Sequence, residues 1–171
     1  MKRMMLILTL VTVCGSLGYA GAEERQDAHK EKTMSNQQTH YPASSHESFK
    51  GPDDWFTGDV EIKLLFPANE TAHYSGAYVT FQPGARTAWH LHQAGQHMIV
   101  TDGVGLTGTR DGKVIEFEAG DTIWCPPDID HWHGATPDSA MTHLVITGDL
   151  NGENVLWKEK VTDEQYSVKP E

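Results

Sequence analysis

The sequence predicts an all-β protein, a sandwich or barrel of short antiparallel strands. Three observations carry this expectation. From Gly51 onward, short segments rich in β-branched and aromatic residues recur, broken by Gly, Pro, Asn and Asp. Within them apolar residues fall on alternate positions, the two-residue period of a strand. Apart from a faint pattern near the C-terminal end, around 150–166, no stretch carries the 3.6-residue apolar period of an amphipathic helix.

The chain begins with a segment that does not read as part of that fold. Residues 1–22 have a basic start at Lys2 and Arg3, an apolar run from Met4 to Val13, and Ala20-Gly21-Ala22 as a small-residue cleavage site. This is the anatomy of a secretory signal peptide, and it predicts a periplasmic or secreted protein. The apolar run is short for a membrane span. A lipid anchor on Cys14 is the alternative, although Val13 before it is larger than the residue such processing favours. The 171-residue chain has a formal net charge of −11, and cleavage would make it more acidic. Such a surface excludes nucleic acid and anionic membranes as partners. Cleavage would leave Cys125 as the single thiol, between apolar neighbours in "DTIWCPP", which reads as a buried structural cysteine.

Residues 23–50 are polar and aperiodic and read as a flexible leader. The remaining 51–171 is of a size for one domain with a real core. Strands are expected at 60–66, 75–81, 87–92, 96–101, 104–109, 113–117, 121–125, 131–136 and 141–147. Asp111-Gly112 within "RDGK" is a strong hairpin signal, and "TDGVG" and "EAGD" read as further tight turns.

Parity then groups the histidines. His90 and His92 share a face, and Gln96 has the same parity. His131 and His133 share a face, as do Met141, His143, Val145 and Thr147, and Ala77, Val79 and Phe81. Turned inward together, they would place six polar side chains in an otherwise apolar interior. Unpaired, that arrangement is costly. A divalent metal removes the cost by taking neutral imidazole lone pairs and the Gln96 carbonyl oxygen, with positions left open for water or substrate. Trp89, Trp124 and Trp132 have the opposite parity to their neighbouring ligands. They are expected outside the barrel wall, where exposed aromatics favour a homodimer or homotetramer. Arg86 reads as a surface residue, and Ala77, Val79, Met98 and Thr147 as the residues setting pocket size.

These residues resemble the cupins. Gly84, His90, His92, Gln96 and Gly103 fall at the spacing of the first cupin motif, with Gln96 in place of the usual Glu. Gly120, Pro126 and His131 match the second, with Asp128 and Ala135 departing from it. The resemblance covers roughly residues 55–148 and implies a jelly-roll β-barrel with a metal inside. Within that family, "VTFQPGARTAWHLHQAGQHMIVTDGVG" and "GDTIWCPPDIDHWHGATPDSAMTHLVI" are similar to small bacterial single-domain cupins. These are the relatives of manganese-dependent (R)-selective hydroxynitrile lyases, also grouped as carboxymuconolactone-decarboxylase-associated cupins. The likeness implies His90, His92, Gln96 and His131 as metal ligands and His133 and His143 as further pocket histidines.

Four neutral donors leave the ion close to its full charge and make it a strong Lewis acid. The cofactor expected is therefore a divalent metal, Mn first, with Fe, Zn, Ni and Cu as alternatives. Burial and a nearby cation would keep His133 and His143 neutral and fit for acid–base work on a small-molecule substrate. The reaction class this implies is C–C cleavage of a cyanohydrin, with one histidine taking the hydroxyl proton and the other protonating cyanide. A dioxygenase on a redox-active metal and a non-catalytic module binding metal or a metabolite are the competing readings, because cupins host many functions.

Overall fold

Alternating side chains bury alternate faces, and the strands follow that rule closely. The computed structural model describes residues 37–171. The expected signal segment, Cys14 and the first half of the polar leader lie outside the described residues. In chain order the strands are β1 Ser48–Lys50, β2 Phe56–Thr57, β3 Val60–Phe66, β4 Tyr74–Phe81, β5 Arg86–Thr87 and β6 His90–Leu91. They continue with β7 Gln96–Thr109, β8 Val114–Glu118, β9 Thr122–Cys125, β10 His131–Ala135, β11 Met141–Gly148 and β12 Leu156–Trp157, and a single helical turn, α1, covers Asp163–Tyr166. In β11, Met141, His143, Val145 and Thr147 are buried while the residues between them are not. Ala77, Val79 and Phe81 of β4 are buried opposite them.

Two antiparallel layers form a jelly-roll barrel. One runs β1-β3-β4-β11-β7 with β9 on the far side of β7; the other holds β2, β5, β10 and the second half of β7, with β8 beside it, β6 along β10 and β12 along β6. Strand β7 belongs to both. Its start pairs with β9 and β11, and Val104–Gly108 pairs with β8. The strand therefore bends where the sequence suggested the tight turn "TDGVG". Gly103 sits at the bend with φ +76°, and a Cβ there would lie 1.9 Å from the Ala140 carbonyl oxygen. Only glycine meets both demands. The Asp111-Gly112 hairpin forms as expected, with β7 ending at Thr109 and β8 starting at Val114.

The core between the layers takes Phe56, Phe81, Met98, Val100, Met141 and Val145. Cys125 is buried with them, and burial pushes its thiol up to about 12, so it is an inert packing residue. Met98, expected to set the pocket size, is fully buried in this core and does not reach the cavity.

Several expectations are corrected. The sheet starts before Gly51, because Ser48–Lys50 pairs with Glu61–Lys63 of β3. Those three residues give backbone hydrogen bonds to an edge strand and keep their side chains exposed, so no apolar pattern marks them. The expected strand at 87–92 is split, because Ala88 and Trp89 donate their amides to Trp55 and Glu159 instead. Trp89 and Trp132 are buried, not surface residues. They form a second apolar cluster with Leu106, Val114, Val161 and Tyr166, built where the C-terminal segment crosses the outside of the barrel. All five residues of β10 are consequently buried. Arg86 is buried by the same segment: its guanidinium donates to the Asp163 carboxylate and the Val161 carbonyl and lies over the Tyr166 ring. The faint helical signal over 150–166 resolves into β12 and the short α1, whose N-terminus is closed by a Thr162–Gln165 capping box. Trp124 is exposed as expected, at 47 %, with its ring on His97.

Candidate metal centre

Three of the expected donors converge from two segments. His90 and His131 are register partners of β6 and β10, which puts their rings side by side with centroids 4.4 Å apart. His92 follows just past the end of β6, with its ring 5.1 Å from His90 and 5.4 Å from His131. One ring nitrogen from each of the three lies within 4.8 Å of the others, and all three residues are buried. Gln96 opens β7 after the turn at Gly95, whose φ is +76°.

Each donor is held by its far side. His90 Nδ1 lies 3.0 Å from the Ala88 carbonyl, His92 Nδ1 2.5 Å from Asn154 and His131 Nδ1 2.9 Å from Ile129. A carbonyl oxygen only accepts, so each Nδ1 carries the proton. In the neutral rings Nε2 is then left with a lone pair. Gln96 Nε2 donates to Thr147 Oγ1 at 2.9 Å, which turns the amide oxygen the other way. His92 Nε2, His131 Nε2 and Gln96 Oε1 are buried without a hydrogen-bond partner. Buried polar atoms without partners are rare and costly. Here they are all lone-pair donors, aligned by hydrogen bonds from behind, as ligands of a bound metal usually are. The donor set fits a divalent cation.

The electrostatics agree. Burial holds His90 well below its ordinary value, with the neighbouring His131 and His92 adding to the effect. Burial likewise lowers His92 to about 4, against the raising effect of the Asn154 carbonyl and of the Gln96 side chain. His131 is also lowered, mainly by burial. All three rings are neutral at pH 7 and ready to bind a cation.

The two further histidines form a pair. His133 Nδ1 and His143 Nε2 are 3.2 Å apart, and Phe81 packs against both rings. Burial depresses both; His133 falls well below its ordinary value and His143 to about 4. Their places differ, however. A cavity of about 170 Å³ adjoins the donors, lined by Ala77, Val79, Thr87, His133, Val145 and Thr147 among others. His143 does not line it. The expectation that both histidines face the centre is therefore corrected: His133 faces the cavity and His143 stands behind it. The register explains this. His143 pairs with Val79 and Val100 in the middle of its sheet, whereas His133 lies on β10 beside the ligand strand.

Sequence reasoning missed Trp157, Asn154 and Thr87. Trp157 lines the cavity and packs on His90 with centroids 4.8 Å apart. Asn154 acts through its backbone carbonyl, which any residue type supplies, so the sequence carries no signal for it. Thr87 Oγ1 accepts the His133 amide at 3.1 Å and so fixes β10 against β5. Along an unbroken 87–92 strand its parity is opposite to that of His90 and His92, so only the break at Ala88 and Trp89 lets it line the cavity.

Comparison with known proteins agrees with this geometry. Residues 77–147 match the family described as Cupin domain. The (R)-mandelonitrile lyase of Granulicella tundricola is 55% identical over 122 residues, covering 71% of this chain and 93% of that protein. A cupin-like protein of known structure from Thermotoga maritima is 39% identical with a TM-score of 0.64, covering 68% of this chain and 89% of that one. The polyketide cyclase RemF from Streptomyces resistomycificus shares the fold alone, at 16% identity and a TM-score of 0.58 over 76% of this chain and 89% of that chain. The chain belongs to the cupin family.

Proposed function

We propose that this cupin is a metal-dependent lyase of the hydroxynitrile lyase kind, cleaving a cyanohydrin or a similar small hydroxy compound. The observation that carries the reading is the set of buried, unpartnered donor atoms on His92, Gln96 and His131, of which His92 and Gln96 line a cavity faced by one neutral, non-ligating histidine. The likeness to an (R)-mandelonitrile lyase supports it.

His90, His92, Gln96 and His131 would hold the ion, with manganese first among the candidates. Bound among neutral donors, a divalent cation supplies Lewis-acid stabilisation for negative charge developing on a substrate oxygen. The chain supplies the proton chemistry. His133 Nδ1 is engaged by His143, so Nε2 is the atom left for the substrate. With its proton on Nδ1 and donated to His143 Nε2, His133 accepts the substrate hydroxyl proton at Nε2. The carbon–carbon bond breaks, its electron pair leaves with the cyanide carbon, and the carbonyl of the aldehyde forms. The proton held on His133 Nε2 passes to cyanide, so the products are an aldehyde and hydrogen cyanide. Acid and base are thus one residue, and His143 is a positioning residue that stabilises the transient imidazolium. The apolar side chains of Ala77, Val79 and Val145 surround the organic part of the substrate and exclude water. We extend the reading to an exported homo-oligomer, supported by the N-terminal segment and the exposed Trp124.

The test is elemental analysis of natively purified protein, followed by assay of that metallated form on mandelonitrile and on catechol-type compounds. Release of cyanide with redox-inactive metal is the expected result. Oxygen consumption with a catechol and no cyanide release would instead establish an oxygenase.

A further inference from the structure

The cavity beside the donors, at about 170 Å³, is small. It falls below the roughly 300 Å³ at which pockets for drug-sized ligands begin. It is not closed, however. Leu64, Ser75 and Asn154 line it and also line an outer groove of about 530 Å³. That groove runs along the end of β3, over Leu65, Phe66, Pro67 and Ala68, and its opposite wall carries Tyr41 and His46 from the segment before β1. The two spaces share three lining residues and so lie side by side, the outer one next to the cavity that holds the metal donors.

The lining of the two spaces differs in kind. Polar groups converge in the inner cavity, where His133 and the donors meet. The floor of the outer groove is a run of apolar side chains, and Glu47 and Asp149 are the acidic groups among its lining. An acidic lining on a chain of formal net charge −11 repels an anionic ligand. An apolar floor leading to a polar, reactive end accommodates a neutral, elongated molecule with its hydroxyl at the inner end.

We propose that the outer groove is a substrate subsite for an uncharged apolar tail, so that the preferred substrate is a hydroxy compound longer than mandelonitrile. This inference rests on reading the inner cavity as the reaction site. The segment carrying Tyr41 and His46 is then a specificity element, not a passive leader.

Isothermal titration calorimetry on the full metal-loaded chain tests it, with benzyl alcohol and 4-hexylbenzyl alcohol as probes. The hexyl compound is expected to bind at least about ten-fold more tightly, since each methylene buried on the groove floor adds affinity. Tyr41→Ala and Leu65→Gln are expected to reduce that ratio below about three-fold. Ala68→Trp fills the groove from the other side and is expected to do the same, which covers the case of a truncating variant that fails to fold. Equal affinity for the two alcohols, or a ratio that survives all three substitutions, overturns the proposal. Mandelonitrile turnover is measured separately: a kept ratio without turnover removes the lyase and leaves the groove, and turnover without the ratio does the reverse.

Discussion

Consider acidifying the metal-free protein. His143 is fully buried, and among the described residues its ring hydrogen-bonds only to the neutral ring of His133. Burial takes its proton affinity from the ordinary 6.5 down to about 4 in the folded chain. In the unfolded chain the ordinary value returns. Between those two values the unfolded state binds a proton that the folded state refuses, so stability falls as pH falls. The contribution is complete above pH 6.5 and is lost progressively toward pH 4. A displacement that large corresponds to about 3 kcal/mol from this one group. His92 is displaced to the same value, and His90 and His133 move in the same direction. Against a typical stability of about 5–15 kcal/mol, these groups together suffice to unfold the metal-free chain in mild acid. The assay is urea unfolding after chelation, at steps from pH 7.5 to 4.5, for the wild type and His143→Gln. Glutamine retains a hydrogen-bonding group for His133 but cannot take up the proton. Because the range stops above pH 4, the variant's stability is expected to fall by roughly 2 kcal/mol less across it. Parallel curves for the two proteins, or a wild type whose stability is flat down to pH 4.5, would refute the reasoning.

Three further outcomes are expected. Thr147→Val removes the acceptor that turns the Gln96 amide, and metal affinity measured by competition with a chelator should fall about 10- to 100-fold. His133→Ala should keep its metal by elemental analysis while kcat for cyanohydrin cleavage falls about 10²- to 10⁴-fold, the usual effect of a lost acid–base group. Gly103→Ala forces a Cβ onto the Ala140 carbonyl at a positive φ, and chemical denaturation should show a loss of at least about 2 kcal/mol.

The fold and the clustering of His90, His92 and His131 were largely legible from local pattern. Strand alternation is a covalent consequence of the extended backbone, so the shared parity of His90, His92 and Gln96 could be read without coordinates. The same holds for Met141, His143, Val145 and Thr147, and for the Asp-Gly hairpin. The motif spacing added the donors to one another across the chain. Where reading failed, the cause was a contact between distant segments. Trp89 and Trp132 have the parity of outward residues and do stand in the cluster outside the barrel, while Arg86 precedes the break in the ligand strand, where parity gives no guide. What parity cannot say is that the last residues of the chain fold back over them.

The same division explains the centre. Sequence alone determined which residue types could bind a metal and on which face of each strand they stand, because both follow from chemistry and backbone period. Only the tertiary structure decided that His133 meets the cavity while His143 stands behind it, and that the Asn154 carbonyl orients His92. Those facts depend on register and on backbone groups that every residue shares, so no side-chain pattern encodes them.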